Sequence, residues 1–224
     1  MAIGRVLHKD GLLFYDFYEL FHNHLKMYED RWHFELFLQI PNLTKIDILE
    51  YFEVTILDLA TGPFGEDDGV MELDSLFFTY LFDNVVENNS ANPTYISEYI
   101  NIIGQLFLAG YIEFGMCGLQ DKEENLLSRQ KDKYQAWIYF RDNFFYTDVF
   151  YIDMIDLREK YPNMSDDDYV YSTWDMYRFW VSRTPEGTQY FDEILSPRFY
   201  KKYKDLEVEI DSKGNIVRWI GEIN

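Results

Sequence analysis

A single cysteine, Cys117, in 224 residues excludes an intrachain disulfide and any cysteine-built zinc cluster. Basic residues are scarce as well: 20 Lys and Arg stand against 40 Asp and Glu, a formal charge of −20. Such a field repels DNA, RNA and anionic lipid, whose binding requires basic patches. The imbalance is −14 over residues 1–120 and −6 over 121–224. No apolar run reaches the ~18–20 residues of a membrane-spanning helix. His8, Lys9 and Asp10 interrupt the stretch where a secretory signal would be apolar. A cytoplasmic location is therefore expected, and the sequons at Asn42, Asn88 and Asn163 are then coincidental. Walker, G-x-G-x-x-G, G-x-S-x-G and kinase signatures are all missing.

The titratable residues form no recognisable catalytic or metal motif. His22 and His24 are two apart, so on a helix they diverge instead of sharing a metal, and His33 with Glu35 has the same weakness. Cys117, in Gly115-Met116-Cys117-Gly118, has no local base to activate it. The runs Glu66-Asp67-Asp68 and Asp166-Asp167-Asp168 lack the alternating ligands of a calcium loop. Both lie beside turn signals, which makes them the candidate contacts for a basic partner surface. No cofactor is expected.

What is present is aromatic: 19 Phe, 19 Tyr and 5 Trp, 19% of the chain. Most must fill a core, while Tyr and Trp also suit half-wet interface positions. The rest of the chain is organised around Asn92–Met116. Asn92 caps a helix, Pro93 takes its first position, and Ile96, Tyr99, Ile100, Ile103, Leu106 and Phe107 recur at three- and four-residue steps. Gly110 sits where a left-handed residue stops the helix, and Tyr111–Phe114 follows as a strand.

Elsewhere, Leu12 to Tyr28 reads as an amphipathic helix. Trp32 to Ile40 reads as a strand or a second helix, broken at Pro41-Asn42. Thr44-Lys45-Ile46-Asp47 opens another helix with a capping box, its buried stripe Leu49, Phe52, Ile56 and Leu59. An acidic glycine-rich loop follows at 61–69, then a helix from Asp74 or Ser75 to Val86. Residues 121–133 are a charged, solvated stretch, and Tyr134–Phe140 reads as a strand pairing with 111–116. Phe144–Tyr151 is a further apolar segment, Ile152–Tyr161 is helical, and Ser165 caps a helix through Trp180 unless Tyr169-Val170-Tyr171 is strand. Leu206–Ile210 and Ile216–Ile220 alternate around a loop at 211–215, a β-hairpin.

Helix, polar turn, helix and "AGYIEF" over residues 75–116 resemble the helix-turn-helix-strand run of winged-helix domains. Residues 178–195 are similar to that family's wing strand and following helix, with Thr184 capping, Pro185 at the first helical position, and Tyr190, Phe191, Ile194 and Leu195 packing. The resemblance implies a winged-helix-like scaffold. The presumed recognition helix, Thr94 to Ala109, carries Glu98 and no Lys or Arg, so DNA contact is not part of the expectation.

The expected fold is α+β: predominantly helical with small antiparallel sheet elements, a C-terminal hairpin and a winged-helix-like substructure. It forms a single unit over 1–224, or a helical part over 1–65 and a winged-helix-like part over 66–224. The expected function is non-enzymatic: an acidic, aromatic-rich surface, with Glu66, Asp67, Asp68, Asp166, Asp167 and Asp168 as candidate contacts, binds and neutralises a cationic protein. In physical character this is like a bacterial immunity protein or antitoxin acting on a basic toxin. The alternatives are a winged-helix-like regulator or sensor without DNA contacts, and an enzyme of unrecognised type.

Overall fold

A computed structural model describes residues 1–7, 15–17, 34, 36–60, 71–72, 95–116, 130–144, 179–213 and 215–224. The fold is α+β. In chain order the elements are β1 (Ala2–Arg5), a 3-10 turn (Tyr15–Phe17), α1 (Lys45–Leu59), β2 (Met71–Glu72), α2 (Ile96–Ala109), β3 (Ile112–Met116), α3 (Lys133–Phe144), β4 (Phe179–Arg183), α4 (Pro185–Tyr190), a π-helical segment (Phe191–Leu195), α5 (Ser196–Tyr203), β5 (Glu207–Ile210) and β6 (Ile216–Ile220). The chain divides into two units, one of Met1–Thr55 with Gln189–Asn224, the other of Ile56–Thr188.

The first unit holds an antiparallel sheet of order β1-β5-β6. β5 and β6 are the hairpin legible in the sequence, and Asp211 organises its loop by accepting the Lys213 and Asn215 N–H groups at 2.8 and 2.9 Å. β1 was not anticipated; it pairs Ala2 with Ile210 and Arg5 with Glu207. Its alternation is too short to register, since only Ile3 and the glycine beside it carry the signal. Around the sheet lies an aromatic core: Phe37 packs on Tyr51 (4.4 Å between ring centroids) and on Tyr203 (5.5 Å), and Phe199 on Tyr203 (4.7 Å). Trp32–Ile40 is helical, not strand, where it is described: Phe34, Leu36 and Phe37 are in helical conformation. Leu36, Phe37 and Ile40 are buried, a helical spacing. Asn42, at φ 63°, makes the turn. The helix expected from Leu12 appears as a 3-10 turn over 15–17; the rest of that stretch lies outside the described residues.

In the second unit, α2 ends as its sequence requires. Gly110 adopts φ 85° and its N–H bonds the Phe107 carbonyl at 3.0 Å, while the Tyr111 N–H bonds that of Leu106 at 2.9 Å. Tyr95 occupies the N-cap position; Asn92 and Pro93 lie outside the described residues. β3 pairs antiparallel with β4, and β4 with β2. Tyr134–Phe140 is therefore not the strand partner of β3 but part of α3. Asp132 accepts the Gln135 N–H at 2.8 Å at its start. Ala136, Trp137 and Phe140 are buried, and one-sided burial at steps of one and four is helical. Trp137 lies against Gly104 of α2, where a Cβ would come within 2.5 Å of the indole. Phe114 stacks on Phe107 and Phe140, at 5.0 and 4.7 Å.

The junction of β4 and α4 follows its sequence closely. The Thr184 hydroxyl accepts the Gly187 N–H at 3.0 Å and donates to the Gly110 carbonyl at 2.6 Å. Gly187 is obligatory here, because a Cβ would fall 1.8 Å from the Tyr111 carbonyl oxygen. Phe179 and Trp180, alternatively read as the end of a helix from Ser165, are in β4. The readings at 61–69, 74–86, 121–129 and 145–178 lie outside the described residues.

Candidate functional site

The densest array of charged side chains among the described residues lies in the first unit, between α1 and the run from Tyr190 to Tyr203. α1 opens with a reciprocal cap: the Thr44 N–H donates to Asp47 Oδ2 at 2.6 Å, and the Asp47 N–H to Thr44 Oγ1 at 3.4 Å. Asp47, Glu50 and Glu53 then recur every three residues, which places them along one side of the helix. This side differs from the expected one. Asp47 and Glu50 are 4% and 8% exposed, and Ile48, Tyr51, Phe52, Ile56 and Leu57 are buried, whereas Leu49 and Leu59 are only half-buried.

Facing these acids are Tyr190, Arg198, Lys202 and Tyr203. Lys202 Nζ pairs with Asp47 and donates to Glu50 Oε2 at 3.0 Å. Arg198 Nε donates to Glu50 Oε1 at 2.6 Å, and Arg198 Nη2 lies 3.8 Å from Glu53. The Tyr190 hydroxyl donates to Glu53 Oε1 at 2.8 Å, and that of Tyr203 to Asp47 Oδ1 at 3.4 Å.

The π segment is what brings Tyr190 into this row. The Ser196 N–H bonds the Phe191 carbonyl, five residues back, so this stretch carries one residue more than an α-helix. Tyr190 and Arg198 are eight positions apart. In a plain α-helix at about 100° per residue, they would diverge by about 80°. Absorbing one residue leaves seven steps, close to two turns. Arg198 and Lys202 align by ordinary i, i+4 spacing. The same insertion corrects the expected packing of 190–195: Leu195 is buried and Tyr190 and Phe191 are half-buried, but Ile194 is 51% exposed.

Burial and pairing compete in the cluster. Burial works to raise the Asp47 carboxyl, but the Lys202 ammonium and the Thr44 bonds outweigh it and hold the group below its ordinary value. Glu53 is pushed up, chiefly by burial, against the opposing Tyr190 bond and Arg198 charge. Lys202 is raised because Asp47 and Glu50 outweigh its desolvation. Burial and the Glu53 carboxylate push the Tyr190 phenol up to about 12, and burial with Asp47 and Glu50 raises Tyr203.

Three acids, two cations and two phenols that satisfy one another form a clasp between helices. The sequence signal for it was present, three acids at three-residue spacing on α1 and an Arg and a Lys four apart on α5. Nothing local joined the two segments.

The candidate contacts Glu66, Asp67, Asp68, Asp166, Asp167 and Asp168 all lie outside the described residues, as do His8, His22, His24, His33 and Cys117. Among the described residues no group of three His, Cys, Asp or Glu side chains is placed to hold a metal ion, and no helix is long and apolar enough to cross a membrane. Comparison with protein-family models, with curated proteins and with solved structures returned no match.

Proposed function

We propose that this chain is a non-enzymatic binding protein whose acid excess receives a cationic partner protein. The carrying observation is the charge balance of the sequence. Acids outnumber bases 40 to 20, and several of the described cations are used internally. Arg198 and Lys202 serve the clasp, Arg218 Nε pairs with Glu209 at 2.6 Å, and Arg183 Nε bonds the Ala60 carbonyl at 3.1 Å. Among the described residues Asp192, Glu193, Asp205 and Glu222 are exposed, as are Lys45, Lys131, Lys201, Lys204 and Lys213, so the support lies in the acid excess of the whole sequence. A surface of this balance speeds encounter with a basic protein and disfavours nucleic acid. The concrete form is an inhibitor of a basic toxin, as immunity proteins and antitoxins are, with Glu66, Asp67 and Asp68 as first contacts and Asp166–Asp168 as second.

The test is retention of basic proteins on the immobilised chain at low and at high salt, followed by association kinetics of whatever is retained. Reversing Glu66, Asp67 and Asp68 to lysine should slow association and flatten its salt dependence. Kinetics unchanged by the reversal remove that loop, and retention of no basic protein at low salt overturns the proposal. A second reading, a winged-helix-like regulator that binds a protein or small ligand, is favoured by the β4–Thr184-Pro185–α4 junction beside α2 and β3. α2 carries no Lys or Arg, so this reading excludes phosphate contact through that helix.

A further inference from the structure

We draw no further inference here: the strongest candidate, the exposed strip of Asp192, Glu193 and Ile194 on the π-helical segment, is an acidic surface patch, and nothing in the structure shows what covers it.

Discussion

Lys202 carries more than its own charge. It is the ammonium between two almost fully buried carboxylates, Asp47 and Glu50. Removing one partner of a buried pair leaves the other desolvated and uncompensated. Lys202→Ala should therefore destabilise the fold by about 2–4 kcal/mol, read as a fall in the urea midpoint. Lys204→Ala, whose exposed side chain sits 3.6 Å from exposed Asp205, should change it by less than about 1 kcal/mol. The same cluster fixes the sign of the pH response. Asp47 is held below 3.8 in the fold, so its contribution is present above that pH and is lost as acid protonates it. Glu53 is held above 4.5, so its contribution runs the other way and declines as pH rises through the window above 4.5. Lys202 is raised above 10.5, Tyr190 from 10.0 to about 12, and Tyr203 is raised as well. The folded state keeps these protons after the unfolded state has released them, so stability falls as pH climbs beyond 10. Urea midpoints from pH 8 upward should show this limb, and Tyr190→Phe should make it shallower.

At the scale of elements, the π segment makes an uncommon prediction about length. Asp192, Glu193 and Ile194 are exposed, so single substitutions there should change stability by no more than about 0.5 kcal/mol. Deleting Glu193 alone should restore α-helical bonding and leave Tyr190 and Arg198 seven positions apart, about 700° or close to two turns, so that their alignment is kept. Arg198 and Lys202 would still face α1, so the thermal midpoint should change about as little as it does for Glu193→Ala; a large loss would refute the one-residue excess. This is also where sequence reading reached its limit. α2 was legible because its apolar period and the Gly110 stop all lie within one short stretch. The Thr44–Asp47 cap and the β5–β6 hairpin are equally local. Tyr134–Phe140 was misread because its aromatic and β-branched content has strand propensity, while the deciding facts, the Asp132 cap and the seat of Trp137 on Gly104, depend on another helix. The clasp was invisible for the same reason. Arg198 and Lys202 are far along the chain from Glu50, and the alignment of Tyr190 with them depends on backbone bonding that composition does not announce.

For the whole molecule, the excess of 20 negative charges repels itself in the compact state. Salt at moderate concentration screens that repulsion. The thermal midpoint should accordingly rise between about 10 mM and 0.5 M sodium chloride, where screening shortens from tens of ångströms to a few. Lys202→Ala should raise this salt sensitivity, since it adds to the excess. A midpoint that falls with salt would mean that ion pairs such as those of Arg198 and Arg218 outweigh the net field.

The division of the chain carries a consequence for biosynthesis. The second unit is one continuous stretch, Ile56–Thr188, and leaves the ribosome complete while the first is still unfinished. β1 must wait for β5: Ala2 pairs with Ile210, and translation at ~5–20 residues per second separates the two by roughly 10–40 s. During that interval the N-terminal strand is a nascent edge without its mate, exposed to other nascent chains and to chaperones.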